Sequence, residues 1–271
     1  ILAVRSSIYA NFPFHSPLPN PLYMESKTLV EIGEYTQLMG RTFTLPMRWR
    51  MFFRSVVREI YSLGVGSLWI VFIISLFIGA VITIQLSINM TSPLIPRFTI
   101  GYSTREIMIL EFSSTVMCLI LSGKVGSSVA SELGTMRVTE QIDAMEIMGV
   151  NSANFLILPK VVGFMTFIPV LSVFSMVTGI VGGYVACDLA SSLTHEDFIY
   201  GLQLYFTPIY VGYSIIKSVV YAFIISSVAS YYGYCVKGGA LQVGTASTRA
   251  VVNSSVLILF FDLLLTNLML T

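Results

Sequence analysis

Three ionisable side chains stand inside otherwise apolar stretches of this sequence, namely Glu111, Lys217 and Asp262. An ionised group at the centre of a membrane helix costs at least about 2.5–3.5 kcal/mol on insertion scales unless it faces a partner or water. We therefore expect all three side chains to face the protein interior. Two interpretations stay open: a structural ion network that holds helices together, or a polar patch that lines a substrate cavity.

Polar neighbours accompany two of these charges at helical spacing. Ser255 and Thr266 share a helix face with Asp262. Along the preceding apolar stretch, the polar residues at i, i+4, i+7 and i+11 are Tyr210, Ser214, Lys217 and Tyr221. Each of the two predicted helices therefore carries a polar stripe.

Constellations for catalysis or metal binding are not recognisable in the sequence. It has 2 histidines, and its 3 cysteines lie in or beside apolar runs, where they are typical of small hydrophobic side chains. No GxSxG elbow or HExxH pair occurs, and Val125 follows Gly123-Lys124 where a phosphate-binding loop needs serine or threonine. We predict no catalytic residue, no metal site and no cofactor on this chain.

The composition indicates a membrane protein. Of 271 residues, 55% are hydrophobic and 11% are charged, and the mean hydropathy is +0.81, well outside the usual range of soluble domains. The net charge of +1 gives no basic excess of the kind that binds nucleic acid.

Apolar runs of about 20 residues, the length that crosses a bilayer, predict five transmembrane helices. In the third, Gly179 and Gly183 have the GxxxG spacing that lets helices approach closely. The expected fold class is an all-α polytopic membrane protein with about five transmembrane helices, an N-terminal interfacial helix and a cytoplasmic coupling helix. The spans are 66–88, 107–124, 161–187, 208–232 and 250–271.

The region before the first span divides into two predicted parts. Residues 1–23 contain four prolines and are expected to be a disordered leader. Residues 24–60 are expected to form N-terminal interfacial helices, because arginines alternate there with large apolar side chains. A solvated basic linker is the alternative. Residues 61–271 would form the five-span domain.

The distribution of lysine and arginine predicts the orientation, with the N-terminus in the cytoplasm and the C-terminus outside. With that orientation, the outer loops hold only Arg97 and Arg105. The inner segments from Arg41 onward hold Arg41, Arg48, Arg50, Arg54, Arg58, Lys124, Arg137, Lys160, Lys237 and Arg249.

The inner loop between the second and third spans contains a further amphipathic segment, 135–149. It is too charged to span a membrane, so we expect one short surface helix that ends at Gly149. It could dock in a groove of a soluble partner or rest on lipid. One face carries Val138, Ile142, Met145 and Met148, and the other carries Thr139, Glu140, Asp143 and Glu146.

This loop, two later segments and Asp262 resemble the MlaE/YrbE-type permeases, the membrane subunits of lipid-transporting ABC systems. One departure is Leu110-Glu-Phe-Ser-Ser114, where relatives often read Arg-Glu-Leu-Gly-Pro. The matching segments are Gly123–Gly126, Ser131–Gly149, Ile216–Val220 and Ala246–Val252, followed by Asp262.

The resemblance implies a homodimer in a bacterial inner membrane that moves phospholipid to or from a periplasmic MCE-domain partner. A separate cytoplasmic ABC ATPase would bind ATP and Mg²⁺, and a small cytoplasmic accessory subunit would join the assembly. The alternative is a secondary transporter with proton sites at Glu111 and Asp262. The implied ATPase-coupling residues are Arg137, Glu140, Asp143, Met145, Glu146 and Met148.

The substrate cavity that we expect combines apolar walls for acyl chains with a polar site for the lipid head group. Lys217, with Tyr210, Ser214 and Tyr221, would donate hydrogen bonds to the phosphate.

Overall fold

The computed structural model describes residues 21–44, 49–90, 96–188 and 193–270, and within these ranges it contains helices and no strand. This confirms the all-α fold class. Most of the predicted leader, residues 1–20, lies outside the described residues, and the first helix begins at Pro21. The helices are α1 (Pro21–Thr42), α2 (Trp49–Glu59), α3 (Leu68–Asn89), α4 (Phe98–Ile107), α5 (Met117–Leu121), α6 (Ser127–Val138), α7 (Gln141–Ile147), α8 (Ser152–Ala186), α9 (His195–Gln203), α10 (Ile209–Tyr234) and α11 (Ala240–Leu270).

The chain divides into two units between Gly40 and Arg41. The described part of the first unit is the α1 helix up to Gly40. The second unit holds all the later helices. Among the described residues, five helical stretches are long and apolar enough to cross a membrane, as predicted.

The first stretch is one continuous helix in which α2 passes through a π-helical turn and a short 3₁₀ turn into α3. Its 41 residues would extend about 62 Å, roughly twice the thickness of a bilayer core. About half of the stretch is therefore enough to span the membrane. The remainder includes α2, whose 11 residues with Arg50, Arg54 and Arg58 are available for the interface. The boundary predicted between 60 and 61 lies inside the continuous helix.

The second stretch alternates between α-helix and π-helix. A nine-residue π-segment, Met108–Val116, carries Glu111, and a second, Ser122–Gly126, follows α5. Within the first segment, the Ser113 hydroxyl donates to the carbonyl of Ile109 at 3.1 Å. Such π-segments widen the helix and change the direction in which the following side chains point.

Helices α3 and α8 cross at glycines. A Cβ on Gly79 would overlap the carbonyl of Gly179, and one on Gly182 would overlap the carbonyl of Leu76. A Cβ on Gly183 would lie 2.6 Å from Oγ1 of Thr83. The close approach predicted from Gly179 and Gly183 is therefore confirmed, and it extends to two glycines that the spacing argument did not include.

The amphipathic segment 135–149 is not the single helix that we predicted. Its first residues complete α6, the chain turns at Thr139 and Glu140, and α7 then runs from Gln141 to Ile147. The reason is local: Glu140 has a φ of 59°, in the left-handed region that an α-helix cannot contain. Gly149, with a φ of 76°, follows the end of α7 as predicted.

Candidate functional site

The three intramembrane charges meet at one place, although they come from three separate helical elements. The Lys217 ammonium on α10 lies 3.1 Å from Oε1 of Glu111 on the π-segment and 2.9 Å from Oδ1 of Asp262 on α11. Lys217 is 4% exposed. Lys217 faces the interior as expected, whereas Glu111 and Asp262 are part-exposed, and the contacts among the three groups form an ion network.

Hydroxyl groups complete the network, and they bind Asp262 more closely than Glu111. Tyr221 donates to Oδ1 of Asp262 at 2.7 Å, and Thr115 donates to the same oxygen at 3.0 Å. Thr115 lies 3.4 Å from Oε2 of Glu111. The Asp262 side chain is 19% exposed and that of Glu111 is 40% exposed, so Glu111 is the carboxylate that is easier to reach from outside the cluster.

Two residues of the predicted polar stripe, Ser214 and Tyr210, contact residues outside the charged cluster. Ser214 pairs with Ser113 at 3.2 Å. The ring of Tyr210 packs against Tyr213, with centroids 6.2 Å apart, and it makes no described contact with the charges. Thr115, which the sequence reasoning missed, lies four residues after Glu111, a spacing that could have identified it.

A small cleft opens next to Lys217, with a cavity volume of about 10 Å³, which is room for about one water molecule. Its lining joins one cation and three hydroxyl-bearing residues to apolar side chains, so a ligand with both polar and apolar parts would fit there only after the surrounding helices move apart. Its lining residues are Leu110, Tyr213, Ser214, Lys217, Thr266 and Met269.

A second ionic network was missed by the sequence reasoning, which placed Lys160 in an inner segment just before the third span. Lys160 lies in α8, where its ammonium is 2.9 Å from Glu59 on α2 and 2.7 Å from Glu132 on α6. Its side chain is buried. The three residues are far apart in sequence and share no periodic pattern, so only the fold could bring them together.

Arg105 was also misplaced, because it lies in α4 rather than in a loop. Its buried guanidinium pairs with Glu106 at 2.6 Å and donates to the carbonyls of Leu202 and Leu204 at 2.6 and 2.9 Å. The arginine thereby fixes the segment that connects α9 to α10.

The predicted coupling residues lie within α7 and at its two ends. Arg137 pairs with Asp143 at 2.7 Å across the turn at Glu140. The carboxylate of Glu146 accepts hydrogen bonds from the hydroxyls of Tyr234 at 2.7 Å and Ser152 at 3.0 Å. The hydrogen bond from Tyr234 has the larger effect, and together the two bonds hold the pKa of the Glu146 carboxyl below its usual range.

The apolar face of α7 is only partly buried. Ile142 is fully buried and Met145 is half-buried, as an inward face requires, whereas Met148 is exposed. Ile147, which lay outside the predicted face, is also exposed. The end of α7 therefore presents two large apolar side chains beside charged ones. Anywhere in the described ranges, α7 included, no group of three or more His, Cys, Asp or Glu could hold a metal ion.

Comparison with known proteins gives the family. The family described as Permease MlaE matches residues 56–268 of this chain. The chain belongs to the MlaE permease family. Within it, the chain is 33% identical over 241 residues to a probable ABC transporter permease protein of Rickettsia bellii, covering 88% of this chain and 91% of that protein.

Two further relatives of this MlaE-family permease come from a second Rickettsia species and from a plant. A probable ABC transporter permease protein of Rickettsia prowazekii is 34% identical over 79% of this chain and 82% of its own length. The chloroplastic Arabidopsis thaliana protein TRIGALACTOSYLDIACYLGLYCEROL 1 is 28% identical over 85% of this chain and 65% of its own length.

These relationships make the protein the permease subunit of an ABC transporter, a multi-pass membrane protein that transports rather than catalyses a reaction. An ABC permease implies an ATPase partner. The family match does not support the proton-coupled alternative.

Proposed function

We propose that this MlaE-family permease moves phospholipid between the bacterial inner membrane and a periplasmic MCE-domain partner. The observation that carries the proposal is the charged cluster of Glu111, Lys217 and Asp262 beside a cleft with apolar walls. A phospholipid needs both features. The Arabidopsis relative, whose name contains a galactolipid, supports a lipid as the substrate class.

The lipid phosphate would compete for Lys217 with a carboxylate that already holds it. With both carboxylates ionised, the cluster has a formal charge of −1, so a phosphate gains most when one carboxylate moves away. Glu111 is the one that can move, because it is more exposed and has fewer hydrogen bonds than Asp262. Its pairing with Lys217 would close the site when no lipid is bound, while Asp262 keeps the lysine oriented.

The energy would come from ATP and Mg²⁺ bound by a cytoplasmic ABC ATPase, with no cofactor on this chain. The surface around α7 suits such a partner. It offers Ile147 and Met148 as exposed apolar side chains, together with Glu140 and the Arg137–Asp143 pair as polar groups at its edge.

We further propose that two copies of this chain form the transporter, with cytoplasmic N-termini and periplasmic C-termini. A small cytoplasmic accessory subunit would complete the assembly. The wide exposed apolar faces of α3 and α11 support burial of these helices in lipid or against a second copy.

The test is a Lys217→Gln variant in the purified complex, reconstituted in vesicles of phosphatidylethanolamine and phosphatidylglycerol with a trace of fluorescent phosphatidylglycerol. We expect ATP-dependent transfer of the label to fall about tenfold or more, because a charge-assisted hydrogen bond is lost. Co-purification of the ATPase should not change. Lys237→Gln is the matched control, since Lys237 is exposed in the segment after α10.

Unchanged transfer by the Lys217→Gln variant would remove the head-group role. Failure of that variant to assemble would favour a purely structural ion network.

A further inference from the structure

The inner end of α10 is fastened to α7 by a group of hydrogen bonds that the charged cluster does not use. Tyr234, the last residue of α10, donates its hydroxyl proton to Glu146 of α7 at 2.7 Å. The hydroxyls of Ser152 and Tyr234 lie 2.7 Å apart, and Ser152 also donates to Glu146 at 3.0 Å. One carboxylate oxygen and two hydroxyls thus join the surface helix to the ends of two spans.

The ring of Tyr234 is held from a second direction. The Arg137 guanidinium, which pairs with Asp143, lies 5.8 Å from the centre of the ring. The preceding residue, Gly233, lies so close to α6 that a Cβ there would be 2.7 Å from the carbonyl oxygen of Ala130. The end of α10 is therefore in contact with α6 and α7 and cannot shift independently of them.

Helix α10 connects this attachment directly to the charged cluster. It is continuous from Ile209 to Tyr234 and has no internal proline. Lys217 lies 17 residues before Tyr234, which corresponds to about 26 Å along an α-helix. Because the helix has no proline or π-bulge at which it would kink, displacement of its inner end would also displace Lys217 and Tyr221.

We propose that Tyr234 is a positioning residue that transmits movement of α7 to the lipid site through α10, by means of its hydroxyl group. The proposal rests on the proposed function, in which the ATPase acts on α7. The carboxylate of Glu146 is the acceptor on the moving helix, and Ser152 holds the same oxygen from the start of α8.

The test is a Tyr234→Phe variant, which removes the hydroxyl and keeps the ring that faces Arg137. The purified complex is reconstituted in the vesicles described above, and lipid transfer and ATP hydrolysis are measured in the same sample. We expect the number of labelled lipids transferred per ATP to fall about tenfold, while the ATP hydrolysis rate stays within about twofold of wild type. A purely structural residue would lower both activities together.

Tyr232→Phe is the matched control. It removes a tyrosine hydroxyl from the same helix, but that hydroxyl accepts a hydrogen bond from Asn253 on α11. We expect the lipid-to-ATP ratio of this variant to match that of wild type. Ser152→Ala, which leaves the bond between Tyr234 and Glu146 in place, should give an intermediate ratio.

Each outcome decides the proposal. A wild-type ratio in Tyr234→Phe overturns the role of Tyr234 in transmission, as does loss of assembly or an equal loss of both activities. If the wild-type complex itself shows no ATP-dependent lipid transfer, the proposed function fails instead.

Discussion

At the scale of single residues, the two carboxylates that pair with Lys217 are not equivalent. Asp262 accepts bonds from Lys217, Tyr221 and Thr115 and is largely buried. Glu111 is two-fifths exposed, and its remaining contact, with Thr115, is long. Burial and the number of hydrogen bonds both make Asp262 the structural anchor and Glu111 the exchangeable partner.

This difference predicts unequal effects of the same chemical change. Asp262→Asn removes the charge that receives the bonds from Lys217, Tyr221 and Thr115 and should lower the free energy of unfolding by about 2–3 kcal/mol. Glu111→Gln should cost less than about 1 kcal/mol, because solvent screens an exposed pair. Thermal unfolding in detergent would measure both variants, and equal losses would contradict the assignment.

At the scale of helices, the crossing of α3 and α8 depends on glycine rather than on large interdigitating side chains. The backbones approach so closely at Gly79 and Gly182 that no Cβ fits. Small residues permit this approach in membranes, where van der Waals packing between helices replaces the hydrophobic effect.

The crossing predicts a large effect for a single methyl group. Gly79→Ala should destabilise the protein by about 3 kcal/mol or prevent folding, because α3 must move away from α8. Gly212→Ala on α10 is the control, since nothing lies within 4 Å of its Cβ position; it should be neutral or gain up to about 1 kcal/mol from helix propensity. Yield and thermal unfolding in detergent give the comparison. A stable Gly79→Ala protein would show that the helices can separate without cost.

At the scale of the whole molecule, the described residues contain five candidate spans, and consecutive connections alternate between the two sides because each span crosses the membrane once. The segment between α9 and α10 contains Tyr205, which is 79% exposed. The segment after α10 contains the exposed Lys237. The two positions flank a single span and must lie on opposite sides of the membrane.

The proposed orientation can be tested at these two positions, in a background without the native cysteines. A Tyr205→Cys variant should react with a membrane-impermeant maleimide in cells whose outer membrane is opened. A Lys237→Cys variant should react only after the inner membrane is also permeabilised. The reverse pattern would invert the proposed orientation.

Many features of this protein follow from the sequence alone, because the hydrocarbon core of a bilayer restricts the length and composition of the segments that cross it. Apolar length sets the number of spans, and the cost of an ionised group in hydrocarbon predicts that Glu111, Lys217 and Asp262 face inward. The GxxxG spacing of Gly179 and Gly183 predicts a close crossing, and long motifs give the family. These features are local or periodic along the chain, so they can be read without coordinates.

The tertiary structure alone decides which groups become partners. Lys160 meets Glu59 and Glu132, and Glu146 meets Tyr234, across sequence separations that no periodicity relates. The structure also divides the segment 135–149 into two helices, because Glu140 takes a left-handed conformation at the turn that Arg137 and Asp143 bridge. Such contacts depend on the relative rotation and depth of helices, which are set by packing of the whole bundle rather than by any one segment.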